Sequence, residues 1–222
     1  LGYAFCDSFW ISSTEAEVYT LSTIFMGVAF WSITKWEEHY GETGKNRWIV
    51  LICFVLGLSI GVHILNMAIL FPVALVITIR TWGFKLKSIL VGFGAALVFF
   101  LFTNSLLVQG LVKFLINFEI RAINNWRWQR HNGALLGVLL FFVVITGFHL
   151  WARYKKKFLT ELISLSIFFF SIGWSIYFMA IIRTNAITPS ANNADDVVRL
   201  LDYLRSSQFA FSNRPLIYGQ SF

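Results

Sequence analysis

Long apolar runs separated by short charged loops dominate this sequence of 222 residues. Several runs approach the roughly 20 residues that a helix needs to cross the hydrocarbon core of a bilayer. The pattern predicts an all-α polytopic membrane protein with about six transmembrane helices, two of them short and paired. The six runs are residues 18–36, 48–62, 64–79, 88–108, 134–152 and 158–182.

The second and third runs form one apolar stretch, residues 48–79, which is longer than an ordinary span. It is either one tilted helix or two short helices folded back near residues 61–66. Two short helices place the basic residues of both flanks on one side, as the positive-inside rule favours. The rule then assigns three short loops to the cytoplasm, with their basic residues Lys35, Lys45, Arg47, Arg80, Lys85, Lys87, Arg153, Lys155, Lys156 and Lys157.

The opposite side of the membrane then receives the N-terminal segment, the turn at residues 63–66, the loop at 109–133 and everything after Arg183. The last forty residues also change in composition. Residues 184–193 are polar, 195–205 have a helical pattern, and 216–218 are typical of a short strand. We therefore divide the chain into a transmembrane region, 1–183, and the start of a soluble α/β extracytoplasmic domain, 184–222.

Composition supports a membrane protein and argues against other classes. Charged residues make up 13% of the chain, about half of what a soluble domain carries. The net charge of +7 does not indicate nucleic-acid binding, because most basic residues fall in short loops between apolar runs. The sequence contains no phosphate-binding loop, zinc-ligand spacing or nucleophile elbow, and a disulfide between Cys6 and Cys53 is not expected.

Three segments on the predicted outer side contain candidate functional residues. The first precedes the first run and contains Glu15 and Glu17. Both acids fit capping boxes, with Ser12 and Thr14, and in that interpretation they only stabilise the start of a helix. The alternative is that Glu15 or Glu17 acts as a ligand or general base at the membrane surface.

The second segment is the predicted turn that contains His63 and Asn66. A spacing of three residues places the two side chains on one face of a helix. They either cap and hydrate the end of an apolar hairpin or face the same cavity as the acids.

The third segment is the loop at residues 109–133. A polar stripe with a four-residue repeat lies opposite a broad apolar face, which predicts an amphipathic helix in the membrane interface. Basic and aromatic residues then alternate over 126–131. This surface suits an anionic head group such as a lipid phosphate, or it anchors the loop to anionic lipid. Its basic candidates are Lys113, Arg121, Arg127 and Arg130.

Four stretches along the chain resemble a known family in the same order. They are residues 7–19 with 36–38, residues 47–66, residues 108–124, and parts of 185–220. The family is the multi-pass protein O-mannosyltransferase-like group of bacteria, in the glycosyltransferase C superfamily, which is related to a eukaryotic transmembrane O-mannosyltransferase. The third stretch departs from the family pattern at residues 126–131, where the family has a Leu-Pro-type ending.

The resemblance implies an enzyme that moves a sugar, expected to be mannose, from a polyprenyl-phosphate donor to Ser or Thr of an extracytoplasmic protein. It also implies that the chain lacks N-terminal spans and that the main catalytic acid lies upstream of Leu1. The expected location is the bacterial inner membrane, or the endoplasmic reticulum membrane in a eukaryote, with both ends of this sequence extracytoplasmic.

For this reaction, our hypothesis gives the candidate residues the following roles. Glu15 and Glu17 are the catalytic candidates, His63 and Asn66 bind sugar hydroxyls, and the basic residues of the third segment bind phosphate. No cofactor is definite, and a divalent metal beside the two acids is left open. The alternative function is a non-enzymatic transporter, flippase or scaffold for polyprenyl-linked sugars, although the nearly charge-free span centres argue against a transporter. The predicted partners are the lipid donor, a protein acceptor and the bilayer, and not nucleic acid.

Overall fold

The structure is a computed structural model that describes residues 18–186 and 196–204. Within these ranges the chain forms helices and turns without a β-strand. One 3₁₀-helix spans Ile64–Ile69, and one π-helical segment spans Thr103–Gly110 within the described residues. The α-helices are α1 (Val18–Glu38), α2 (Arg47–Ile60), α3 (Leu70–Trp82), α4 (Leu86–Phe102), α5 (Leu111–Trp126), α6 (Asn132–Tyr154), α7 (Phe158–Trp174), α8 (Tyr177–Ala186) and α9 (Val197–Leu204).

The described helices belong to two compact units. Unit 1 comprises the described residues of Leu1–Leu101 and Phe158–Ile176, and unit 2 comprises those of Phe102–Lys157 and Tyr177–Phe222. Each unit has its own packing and is treated by itself below.

Three helical stretches in the described part of the chain are long and apolar enough to cross a membrane: Leu86–Trp126, Asn132–Tyr154 and Phe158–Met179. The apolar helices Arg47–Ile60 and Asn66–Trp82 are shorter. At 1.5 Å per residue, α2 is about 21 Å long, which is less than the roughly 30 Å of a hydrocarbon core. The predicted membrane character is therefore supported, whereas the count of six spans is not confirmed.

The apolar stretch at residues 48–79 is divided into two helices, as predicted. α2 ends at Ile60, and the chain turns at Gly61 before the 3₁₀-helix leads into α3. The buried side chain of Asn66 stabilises this turn, because its Nδ2 donates to the Ser59 carbonyl at 3.0 Å and to Ser22 Oγ at 3.2 Å. One amide therefore joins the end of α2 to the beginning of α1.

The basic residues that flank α2 and α3 lie at one end of unit 1. Lys45 Nζ lies 4.0 Å from the centre of the Tyr40 ring, and Arg80 Cζ lies 5.1 Å from the same ring centre. Lys45 Nζ also donates to the Tyr40 carbonyl at 2.6 Å. Tyr40 thus brings together one residue from each of the two basic clusters that the two-helix interpretation placed on the same side.

α2 and α7 pack with their backbones in contact. A Cβ atom on Gly57 would overlap the Phe170 carbonyl oxygen and lie 2.9 Å from the Trp174 nitrogen. A Cβ atom on Gly173 would lie 2.8 Å from the Leu58 nitrogen. The residues in contact occur in the same order along α2 and along α7. The two helices therefore run parallel. Where water is excluded, helices associate through close packing and the dispersion energy that it gives. Small residues such as glycine allow the two backbones to come close enough for this.

In unit 2, α5 packs against α6 and α9. α6 contributes two glycines: a Cβ atom on Gly133 would lie 2.6 Å from Glu119 Cα, and one on Gly137 would lie 2.9 Å from Leu115 Cδ2. The predicted amphipathic helix is therefore present, and its apolar face is covered by neighbouring helices. Its buried residues are Val112, Leu115, Ile116, Glu119 and Ala122.

α5 also differs from the prediction at its start. The helix is continuous from Leu86 to Trp126, 41 residues, so no loop separates the amphipathic part from the apolar run before it. The π-helical segment lies between them, and such segments often accompany kinks and functional sites.

The helix predicted at residues 195–205 is confirmed as α9. Asp196 Oδ1 accepts the Arg199 N–H at 2.8 Å, which is the bond of an N-cap residue. Val197, Val198 and Leu200 are buried, and α9 contacts α5 within unit 2. The strand expected at residues 216–218 lies outside the described residues, so the α/β character of the C-terminal domain stays a prediction.

The glycine contact between α2 and α7 gives a first prediction. Gly57→Ala adds a methyl group where the Phe170 carbonyl lies, and overpacking of this kind costs about 1–3 kcal/mol. Thermal unfolding of the full-length protein in detergent measures the loss. Gly94→Ala is the matched control, because nothing lies within 4 Å of a Cβ at Gly94 in α4. Equal melting temperatures for the two variants would contradict the packing.

The position of Tyr40 gives a second prediction, on topology. Single cysteines at Thr43→Cys and Phe84→Cys are expected to react with a membrane-impermeant maleimide from the same side of sealed vesicles. Val62→Cys, at the other end of α2, is expected to react from the opposite side. The background carries Cys6→Ser and Cys53→Ser. Labelling of positions 43 and 84 from opposite sides would show that α2 and α3 do not form a pair that crosses and returns.

Candidate functional site

The loop between α5 and α6 has an unusual backbone at both ends. Arg127 has φ 54° and His131 has φ 72°, both in the left-handed region. The Trp128 N–H donates to the Ala122 carbonyl at 3.0 Å and closes the C-terminus of α5 with a bond across six residues. A left-handed conformation costs non-glycine residues about 1–3 kcal/mol, so surrounding contacts must hold this loop in place.

Glu119 supplies such contacts at the His131 end of the loop. Its side chain is buried, with 3% of the residue exposed. Oε1 accepts the His131 N–H at 2.6 Å, and Oε2 accepts the Ala134 N–H at 2.8 Å. These donors lie at the start of α6, where N–H groups lack partners within the helix and the helix dipole favours negative charge. Glu119 therefore fixes the end of the loop and the start of α6 against α5.

Sequence analysis missed this role for Glu119, although a signal was present. Glu119 follows Leu115 and Ile116 by four and three residues and precedes Ala122 by three, which places it on the apolar face of α5. An acid on a face that packs against protein requires hydrogen-bond donors. Only the fold shows that the donors are backbone groups of the next helix.

An open groove of about 570 Å³ lies beside the loop in unit 2. Its polar lining residues come from the loop and from the first residue of α6, whereas its apolar residues follow on α6. The lining therefore changes from polar to apolar along the helix. The residues are Arg127, Trp128, Gln129, Asn132, Leu135, Leu136 and Leu139.

The groove combines two kinds of binding chemistry. A guanidinium group donates in a planar fork that matches two phosphate oxygens, and side-chain amides supply further donors. The three leucines offer a strip that a hydrocarbon chain can cover. The arrangement suits a ligand with an anionic head and an apolar tail.

The other basic candidates are exposed and more widely distributed. The predicted polar stripe of α5 is confirmed, since Lys113, Asn117, Arg121 and Asn125 are all exposed. Arg130 is exposed in the same loop as Arg127. About 20 Å of helix rise separates Lys113 from Arg127, so one phosphate cannot contact both side chains.

The remaining candidates lie in unit 1 or outside the described residues. His63 is half-buried, and its backbone N–H donates to the Ser59 carbonyl at 2.9 Å. Asn66 is buried and donates to groups of α1 and α2, so the structure gives it a supporting role in the turn. Glu15 and Glu17 lie outside the described residues. Within residues 18–186 and 196–204, no group of three or more His, Cys, Asp or Glu side chains is placed to hold a metal ion.

Removal of the Glu119 carboxylate is expected to release the loop. Glu119→Ala leaves two N–H groups at the start of α6 without their acceptor, at a cost of about 1–3 kcal/mol for each buried group. The expected result is a lower melting temperature of the full-length protein and faster tryptic cleavage after Arg127 and Arg130. Glu37→Ala, which removes an exposed acid, serves as the control. Unchanged cleavage in Glu119→Ala would show that the carboxylate does not hold the loop.

Comparison with known proteins bears on the first part of the chain. Residues 1–86 match the family model described as Protein O-mannosyl-transferase TMEM260 N-terminal domain. None of the curated proteins and none of the solved structures matches the chain. The matched range includes α1 to α3 and the first two stretches on which the resemblance rested, whereas the third and fourth lie beyond it. The resemblance is thereby confirmed for residues 1–86, which are similar to the N-terminal domain of a protein O-mannosyltransferase.

Proposed function

We propose that this chain is part of a membrane glycosyltransferase that moves mannose from a polyprenyl-phosphate donor to a Ser or Thr hydroxyl of an extracytoplasmic protein. The match of residues 1–86 to an O-mannosyltransferase domain is the observation that carries the proposal. The apolar helices support a membrane setting, which an enzyme with a lipid-linked donor requires.

The groove beside the Arg127 loop is the proposed donor site. The donor phosphate binds Arg127 with help from Gln129 and Asn132, and the polyprenyl chain covers Leu135, Leu136 and Leu139. Charge-assisted hydrogen bonds are roughly twice as strong as neutral ones, and apolar burial contributes about 25 cal/mol per Å². A lipid phosphate uses both contributions, whereas a soluble sugar nucleotide would leave the leucines uncovered.

The proposed reaction is a single displacement at the sugar. The acceptor hydroxyl oxygen forms a bond to the anomeric carbon as the bond from that carbon to the phosphate oxygen breaks. A carboxylate takes the hydroxyl proton, and polyprenyl phosphate departs with an additional negative charge. Arg127 is preorganised by the loop to offset that charge.

The acids and the turn residues keep the roles assigned from sequence, as part of this proposal. Glu15 and Glu17 are candidates for the base, or for orienting the acceptor or a divalent metal. His63 and Asn66 remain the candidates of the turn for sugar hydroxyls, and the Asn66 amide also donates within the protein. Arg121 and Arg130 are candidates for further phosphate contacts.

Arg127→Ala in the full-length protein tests the donor site. A hydrogen bond to a charged group contributes about 1.5–3 kcal/mol, so mannosyl transfer from polyprenyl-phosphate mannose to an acceptor peptide is expected to fall by about 10- to 100-fold. Lys113→Ala removes an exposed positive charge from α5 well away from the groove, and less than a twofold change is expected. Thermal unfolding checks that both variants are folded.

Two outcomes would contradict the proposal at different points. Equal transfer rates in Arg127→Ala and Lys113→Ala would remove the phosphate from this groove and leave the enzyme class intact. Tight donor binding by a full-length protein that transfers no sugar to any peptide or protein acceptor would instead favour a carrier or scaffold.

A further inference from the structure

Unit 1 contains a second and larger groove, of about 820 Å³. This volume lies within the range of about 300–1,000 Å³ that is usual for small-molecule sites. The lining residues belong to α2, to the turn before α2, and to α7. Those of α2 and the turn precede Gly57 in the chain, and those of α7 precede Gly173. The groove therefore runs along the two helices from their N-terminal ends towards Gly57 and Gly173.

Most of the lining is apolar. Phe54 and Phe169 meet edge to face, with ring centroids 6.5 Å apart, and both line the groove. α7 belongs to the stretch Phe158–Met179, which is long and apolar enough to cross a membrane. The apolar lining residues are Val50, Leu51, Phe54, Phe158, Leu162, Leu165, Phe169 and Ile172.

The N-terminal end of the groove carries both signs of charge. Asn46 and Arg47 lie at the start of α2, and Glu161 lies in the first turn of α7. Because α2 and α7 are parallel, both helix starts lie at the same end, where the positive ends of the two helix dipoles favour an anion.

The two charged side chains do not neutralise each other. Among the described residues the salt bridges are Lys35 with Glu38 and His39 with Glu42. Arg47 is exposed, with its guanidinium carbon 5.1 Å from the Trp48 ring centre, and Glu161 is half-buried. The groove thus presents a cationic and an anionic group separately above an apolar surface.

We propose that this groove binds a phospholipid whose head group carries a phosphate and a primary amine, as in phosphatidylethanolamine. Arg47 and Asn46 bind the phosphate, Glu161 accepts hydrogen bonds from the ammonium group, and an acyl chain covers the apolar lining. A choline head group has no N–H to donate to Glu161, and a glycerol head group lacks the positive charge. The site is separate from the proposed donor groove and does not depend on the glycosyltransferase assignment.

The test measures which lipids the full-length protein retains. Protein is reconstituted in nanodiscs with equal parts of phosphatidylethanolamine, phosphatidylcholine and phosphatidylglycerol, and lipids that remain bound after detergent extraction are counted by native mass spectrometry. The expected result is at least fivefold retention of phosphatidylethanolamine over either other lipid. Leu165→Trp, which fills the groove, is expected to abolish retention.

Two substitutions separate the contributions of the charges. Glu161→Gln is expected to reduce the preference for phosphatidylethanolamine over phosphatidylcholine to less than twofold while phospholipid is still retained. Arg47→Ala is expected to lower retention of all three lipids by about tenfold, and Arg47→Lys to restore part of it. Glu37→Gln and Arg153→Ala, at exposed positions away from the groove lining, are the matched controls and are expected to behave like the unmodified protein.

Three results would overturn the proposal. One is equal retention of the three lipids by the unmodified protein. Another is an unchanged preference for phosphatidylethanolamine in Glu161→Gln. The third is a lipid-free dimer that Leu165→Trp dissociates, which would make the groove a contact between two copies of the chain.

Discussion

Backbone contact at glycines is the constraint on which both units depend. Between helices that lie in hydrocarbon there is little hydrophobic gain from contact, so close packing and hydrogen bonds must hold them together. Gly57 and Gly173 bring α2 and α7 together in unit 1, and Gly133 places α6 directly against α5 in unit 2. The larger groove, in unit 1, lies along the two helices whose spacing Gly57 and Gly173 set.

Two buried polar side chains, Glu119 and Asn66, hydrogen-bond with groups of neighbouring helices. Glu119 reaches the N–H groups of His131 and Ala134 because Gly133 lets the start of α6 approach α5. Asn66 reaches Ser22 and Ser59 where the ends of α1 and α2 meet. In each case one side chain forms hydrogen bonds with groups at the ends of helices. A buried polar side chain without such partners would destabilise the fold.

Features that depend on local pattern could be predicted from the sequence. The division of residues 48–79, the amphipathic helix α5 and the short helix α9 follow from apolar spacing, charge and capping residues over about 10–30 positions. The partners of Glu119 and Asn66 could not be predicted, because they join residues from different helices. Ser22 and Asn66 are 44 positions apart in the chain. The count of six spans stays a prediction, because three helical stretches of the described residues are long and apolar enough to cross a membrane, whereas α2 is 14 residues long.

The two grooves share a design that follows from how a helix enters a membrane. At the start of such a helix, polar side chains lie at the water boundary, and the following turns are apolar. A groove along the helix is therefore polar at one end and apolar beyond it, as a lipid is. What distinguishes the two sites is charge: Arg127 is accompanied by amides, whereas Arg47 shares its groove with Glu161. The first combination favours a phosphate that carries net negative charge, and the second favours a head group in which an amine balances the phosphate.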